Sequence, residues 1–294
     1  MRGFYQMRVL RSDGSERYRT AWMENLILTN GRNNYMKDDV VPCSYCQVGT
    51  GNTAPDVSQT ALAAYLATHN TNVSETNGNQ VASSPYYIYS TKTYQFDIGT
   101  ATGTLAEVGV GTQSATGNLT SRALILDGGG SPTTITILST ELLQVTYQLR
   151  LYQDTAGGSG SVTISGTTYD YNWLPAYMSG NTSSTIYYSA LNNGRGYASA
   201  VYAGGLGTVN AYPSGSVKSD YSVARSAYSN NSYQRDYVAS FLIAQGNITG
   251  GAGIKSIDLS TYRGNWQFEF TSANIPKDGT KTLSITMRIA VAAY

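Results

Sequence analysis

Charge is scarce in this chain. Asp, Glu, Lys and Arg make up only 13% of 294 residues and nearly cancel, leaving a net charge of +1. That balance argues against a general nucleic-acid binder, which needs a basic surface. It also leaves little to hold neighbouring copies apart. Cysteine is almost absent: Cys43 and Cys46 are too few for a disulfide framework. A zinc site takes four ligands, and the only histidine, His69, lies well beyond the Cys pair in a polar stretch. Residues three apart on a strand face opposite sides, which disfavours a bridge between Cys43 and Cys46. The pair reads as structural, with a disulfide between copies as the alternative. No run reaches the roughly 18 apolar residues of a membrane-spanning helix. The opening Met1-Arg-Gly-Phe-Tyr lacks the apolar core of a secretory leader and reads directly as a strand.

What the chain does hold is Gly, Tyr, Thr and Ser, with 31 Gly and 25 Tyr against 5 Phe. Such a mixture favours sheets joined by many turns. The clearest signal is the stretch 142–152. Leu143, Val145, Tyr147, Leu149 and Leu151 alternate there with Gln144, Thr146, Gln148 and Arg150. Strict period two predicts a strand covering a core on one side. Residues 4–10 and 18–22 flank Asp13-Gly14, a hairpin signal. Asn30-Gly31 reads as a second turn, and residues 33–39 as a short helical turn. Residues 43–48, 86–98, 122–126, 133–138, 161–166, 237–245 and 265–270 read as further strands. So does 282–290, as a closing strand returning to the first sheet. Val48-Gly49-Thr50-Gly51 is echoed by Val108-Gly109-Val110-Gly111, which predicts neighbouring strand ends in one sheet. Ser58-Gln-Thr-Ala-Leu62 with Tyr65 and Leu66 is the best helix candidate, and 68–84 reads as an exposed polar segment. The prediction is an all-β chain of mostly antiparallel, sandwich-like sheets with one or two short helices. It divides into a β-rich core at 1–153, a Tyr/Gly/Asn-rich loop-rich insertion or small β domain at 154–230, and strands returning to the β core at 231–294.

Candidate chemistry is sparse. Gly49-Thr-Gly-Asn-Thr-Ala54 loosely matches a dinucleotide loop but lacks the βαβ setting and the acidic residue downstream, so it reads as a turn. His69 sits among Thr68, Asn70 and Thr71 with no nucleophile beside it. Asp38-Asp39 reads as solvated rather than as a cation site. A glycosidase needs two carboxylates about 5–10 Å apart, and no spacing along the chain reveals such a pair. No cofactor and no metal are expected. The aromatic residues after 167 form the candidate interaction set: Tyr169, Tyr171, Trp173, Tyr177, Tyr187, Tyr188, Tyr197 and Tyr202. Tyr among Ser, Gly and Asn is the composition of adaptable binding surfaces. Three readings stay open for it: local packing, protein contact, and glycan or host-surface binding.

One resemblance is carried by several phrases together. Val48-Gly-Thr-Gly-Asn-Thr-Ala-Pro55 followed by Ser58-Gln-Thr-Ala-Leu62 resembles bacteriophage tail-associated structural proteins. In that family a strand ends in a V-G-x-G loop and a short helix follows. Arg122-Ala-Leu-Ile-Leu126 and Leu143-Gln-Val-Thr-Tyr-Gln-Leu149 are similar to its later strands. The likeness spans about residues 20–152 and leaves the Tyr-rich region outside. It implies a non-enzymatic virion component of the tail, neck, collar or baseplate. Such a protein acts as a homo-oligomeric adaptor against other virion proteins, without nucleic acid or membrane insertion. The alternative is a tail-fibre module that binds a host receptor or surface glycan.

Overall fold

The computed structural model describes residues 1–37, 41–114, 117–176, 197–219, 221–248, 252–261 and 264–292. The chain runs β1 (Arg2–Leu10), β2 (Glu16–Arg19), β3 (Met23–Ile27), α1 (Thr29–Met36), β4 (Tyr45–Gly49), β5 (Tyr65–His69), β6 (Asn72–Gln80) and β7 (Tyr87–Phe96). It continues through β8 (Gly103–Leu105), β9 (Glu107–Gly111), β10 (Leu119–Leu124), β11 (Ile135–Ile137) and β12 (Leu142–Tyr152). The later strands are β13 (Gly158–Ile164), β14 (Thr167–Pro175), β15 (Tyr197–Tyr202), β16 (Val217–Lys218), β17 (Ser222–Arg225), β18 (Gln234–Phe241), β19 (Ser256–Thr261), β20 (Gly264–Phe270) and β21 (Leu283–Ala290). The fold is all-β, in antiparallel, sandwich-like sheets, with α1 as its helix among the described residues.

The first sheet has the order β5-β4-β9-β10-β3-β1-β12-β7-β6, with β2 beside β1. It folds over so that its two ends share one core. Tyr5, Met7, Tyr94, Val145, Tyr147 and Leu149 from one half pack with Cys43, Cys46, Val48, Val108 and Ile125 from the other. The Tyr94 hydroxyl donates to the Cys43 carbonyl across that fold. Strand β12 alternates as expected, with Leu143, Val145, Tyr147, Leu149 and Leu151 buried. The β1–β2 hairpin also forms, with Gly14 at φ 81° and the Asp13 carboxylate accepting the Ser15 N–H at 2.8 Å. Strands β4 and β9 pair with Val48 opposite Val108, so the two V-G-x-G phrases are antiparallel neighbours.

Four expectations are corrected. The helix expected over 58–67 is absent; Tyr65–His69 is instead strand β5, paired with β4. Its backbone is claimed by a more distant partner. The Glu107 carboxylate accepts the N–H groups of Gly51, Ala63 and Ala64 at 3.1, 3.0 and 2.7 Å. The segment 68–84 contains edge strand β6 rather than only exposed loop, because a strand paired on one side can remain polar. Asn30-Gly31 lies inside α1: a Cβ on Gly31 would stand 2.0 Å from the Thr120 carbonyl oxygen, so close approach requires this glycine. Finally, β21 pairs with β18, not with the first sheet. The strands after residue 230, β18 to β21, join β13 to β17 in a second pair of sheets, ordered β13-β14-β20-β19-β15-β16 and β17-β18-β21. Period-two alternation in 282–290 showed an apolar face but not which core it meets.

The Glu107 contacts form part of a larger buried cluster. Arg122 Nε donates to Glu107 Oε2 at 2.8 Å, and both side chains are fully buried. The guanidinium also donates to Gln59 Oε1 and the Thr53 carbonyl, each at 2.7 Å. Glu107→Ala strands the Arg122 charge and frees three amides, so we expect a loss of about 3–5 kcal/mol. Adding Arg122→Met should not restore stability, because the amides of Ala63 and Ala64 remain unpaired. Urea unfolding measures the first effect and limited proteolysis at residues 50–64 the second; a stable double variant would refute the argument.

Strand β12 allows a test of facing. Leu149 is 1% exposed, and Leu149→Ala should cost about 2–5 kcal/mol, including the cavity left behind. Thr146→Ala removes one hydroxyl contact, 3.0 Å to Thr93, and should cost less than about 1 kcal/mol. Reversible denaturant unfolding decides, and a larger loss for Thr146→Ala would mean the strand is inside out.

Candidate functional site

The second pair of sheets is unequal. Six strands lie on one side and three on the other, so the smaller sheet cannot cover the larger. Among the described residues, part of the larger sheet's inner face therefore stays open. That face is aromatic because β14 and β20 pair with Tyr171 opposite Phe270, Trp173 opposite Phe268 and Pro175 opposite Trp266. Tyr169 meets Phe270 edge-on with centroids 6.2 Å apart, and Tyr171 meets Phe268 similarly at 6.1 Å. Toward the covered side these rings join Ile257, Leu259, Ile285 and Met287 in a core. Toward the open side they line a groove of about 840 Å³, within the size range of ligand sites. Its second wall is the outer edge of β21, residues 285–290, and its end is closed by Tyr35 and residues 151–154.

The structure separates the eight candidate residues. Tyr171 and Trp173 are half-buried and line the groove together with Trp266 and Phe268. Tyr169 is buried in the adjoining core. Tyr202 is buried on strand β15, opposite Ser256, so it shares the sheet's other face with Asp258. Burial, then the nearby Asp258 carboxyl, pushes the Tyr202 hydroxyl well above its usual range. Tyr197 lies on β15, with its backbone opposite Thr261. Tyr177, Tyr187 and Tyr188 lie outside the described residues, as does the Asp38-Asp39 pair. Sequence reasoning missed Trp266 and Phe268 as site residues. Their alternation marked a strand, but its pairing with β14 brings together segments far apart in the chain.

Local packing explains part of the aromatic wall. A Cβ on Gly160 would lie 2.6 Å from the Tyr171 hydroxyl, and one on Gly158 2.6 Å from Trp173 Nε1. Each ring lies across a glycine of the neighbouring edge strand, the arrangement by which aromatics cover glycine in sheets. Asp154 is the one carboxylate among the groove-lining residues described, so the groove does not present the carboxylate pair of glycoside hydrolysis. Among the described residues no three His, Cys, Asp or Glu side chains gather as metal ligands, and no helix is long and apolar enough to cross a membrane. Cys43 and Cys46 are free and fully buried, and burial raises both thiols far above the usual range. His69 Nδ1 accepts the Thr71 N–H at 3.1 Å, and its Nε2 lies 3.8 Å from Asp97. No protein-family model, curated protein or solved structure matches the chain.

The opposite face of the larger sheet carries a polar layer. Gln267 Nε2 donates to the carbonyls of Pro175 and Thr208, each at 3.1 Å, while its Oε1 accepts the Gly207 N–H at 2.8 Å. Asp258 Oδ1 accepts the Ala200 N–H at 2.6 Å. Burial raises the Asp258 carboxyl from 3.8 to about 7. Between those two values the folded chain keeps a proton that the unfolded chain has lost. Stability therefore falls as pH rises from about 4 to about 7 and levels off above, with a slope of at most about 1.4 kcal/mol per pH unit. Asp258→Asn keeps an acceptor for Ala200 and should flatten this slope. Denaturant unfolding of both proteins across that range checks it; an unchanged slope in the variant would assign the effect to another group.

Proposed function

We propose that this chain is a non-enzymatic structural component of a bacteriophage virion, of the tail, neck or baseplate. It acts as an adaptor present in several copies that meet through β-sheet surfaces. The observation supporting this is the state of the sheet edges. Among the described residues strand β6 pairs only with β7, and β13 only with β14. Along β6, Asn72–Gln80, the sole charged residue is Glu75, and β13, Gly158–Ile164, has none. Neither strand contains lysine or proline. Chains that remain single usually protect such edges with charge, proline or bulges. Strand β6 has one register shift, between Asn72 and Ser74; edges with so little charge and no proline are suited to strand-to-strand assembly. The tail-protein resemblance across residues 20–152 supplies the kind of particle.

A second reading, recognition of a host-surface glycan, is favoured by the half-buried Trp173 and Trp266 rings in the groove. A glycan array separates the two: binding lost in Trp173→Ala while particles still assemble supports the glycan reading.

For the assembly reading, native mass measurement of the purified chain should show oligomers, and intact particles should contain it. Thr76→Lys and Thr163→Lys put charge at exposed positions of the two edge strands. Together they should lower the oligomeric fraction several-fold while the unfolding midpoint stays within about 1 kcal/mol of the parent. A chain that stays monomeric at every concentration and is absent from particles would sink the reading.

A further inference from the structure

The groove beside β21 combines three features. Consecutive residues of β21, 285–290, line it. Side chains on one face of a strand would supply only every second residue, so the backbone edge itself is open to the groove. Among the described residues that edge is unpaired, since β21 is the outermost strand of its three-stranded sheet. The floor supplies Tyr171, Trp173, Trp266 and Phe268 at alternate positions of two paired strands. At the closed end, Gln153 lines the groove with both side-chain amide atoms shielded from water and without a hydrogen-bond partner among the described residues. A primary amide offers one donor side and one acceptor, which matches the C=O and N–H of a peptide backbone.

We propose that this groove receives an extended segment of a different polypeptide, uncharged and with large apolar side chains at alternate positions. The segment adds to β21 as a fourth strand of the small sheet. Its apolar side chains fall on the aromatic floor, and its backbone pairs with β21 and with the Gln153 amide. The chemistry of the walls sets these terms. Arg288 is already held by Asp236 at 2.6 and 3.0 Å, which leaves Asp154 as the other charged side chain among the groove-lining residues described. A second copy of this chain is a poor occupant. Its amphipathic strands β1, β7, β12 and β18 are already paired on both sides. Its open edges offer little free apolar filling: β6 holds one large apolar residue, Val73, β13 two, Val162 and Ile164, and β5 only Tyr65 and Leu66 on opposite faces, while Leu283, Ile285, Met287 and Ile289 of β21 are already buried in its own core. The proposal deepens the assembly reading, on which it rests for the kind of partner.

The probe is a fluorescein-labelled synthetic peptide of about nine residues, alternating threonine with valine or isoleucine, long enough to span the open edge. Its control carries proline at the threonine positions, which removes the backbone donors. Fluorescence polarisation with the full chain should show saturable binding by the first peptide and at least about tenfold weaker binding by the control. Gln153→Ala should weaken binding about tenfold with an unfolding midpoint no lower than the parent's, because that amide holds nothing in the free chain. Hydrogen exchange should slow at alternate β21 amides only when the peptide is present. Equal binding of both peptides would overturn the strand-addition geometry. Protection of those amides already in the free monomer would overturn the proposal by showing that the chain covers its own edge. Self-association that the peptide competes away would overturn the choice of a different polypeptide in favour of a second copy. Absence of peptide binding in a chain found in particles sinks the groove proposal alone. Binding by a chain absent from particles sinks the virion reading alone.

Discussion

The buried Glu107–Arg122 pair is the constraint on which the first sheet depends. Removing two charges from water costs several kcal/mol per ion, and attraction between them offsets this only when the remaining polar atoms are also satisfied. Here they are. The carboxylate accepts three backbone N–H groups besides the guanidinium, and the guanidinium reaches Gln59 and the Thr53 carbonyl. The pair therefore lashes the connection between β4 and β5 to strands β9 and β10. It also dictates small residues nearby. A Cβ on Gly51 would lie 2.5 Å from Glu107 Oε1, and one on Gly49 2.4 Å from the Ala64 carbonyl oxygen. The Gly-Thr-Gly phrase thus reflects close approach to a carboxylate, not the cradle of a dinucleotide.

Helix α1 does comparable work at the junction of the two halves. Asn33 Oδ1 accepts the Tyr228 hydroxyl at 2.6 Å and the Asn231 N–H at 2.8 Å, while its Nδ2 donates to Asn231 Oδ1 at 2.9 Å. Arg235 reaches the Met36 carbonyl at 3.1 Å, and the Arg32 guanidinium stacks 3.7 Å over the Tyr233 ring. Asn231 adopts φ 66°, a conformation that Asn tolerates better than most residues. With the helix tied down in this way, its Tyr35 forms a fixed end to the groove.

Long strands with one buried face were legible because their alternation is a local property: β12, β7 and β21 all show it. Partner choice is not local. Alternation in β21 serves β18 as well as it would serve the first sheet. Strand β6 has no apolar face to announce it, and Leu62, Tyr65 and Leu66 imitate a helical stripe too short to outweigh the claim of Glu107 on the Ala63 and Ala64 amides. Half of the groove's aromatic floor was visible as Tyr171 and Trp173. The other half, Trp266 and Phe268, was visible only as a strand. Gln153 carried no signal at all, since an amide without a partner is a fact of three-dimensional placement.

The abundance of both Gly and Tyr has a common physical root at the edges. On β6, a Cβ at Gly78 would lie 2.5 Å from the Tyr89 hydroxyl of the paired strand β7. On β13, Gly158 and Gly160 stand in the same relation to Trp173 and Tyr171. In each case a large ring on the inner strand lies across a bare glycine on the edge strand, so the sheet face is covered without a bulky side chain on the edge itself. Charge or a bulge would close an edge equally well, but would also repel or misalign an incoming strand. Covering it from behind needs neither charge nor bulk on the edge strand at these positions. The low charge of the whole chain and its aromatic–glycine pairs therefore act in the same direction: both leave these edge strands with few charged or bulky side chains.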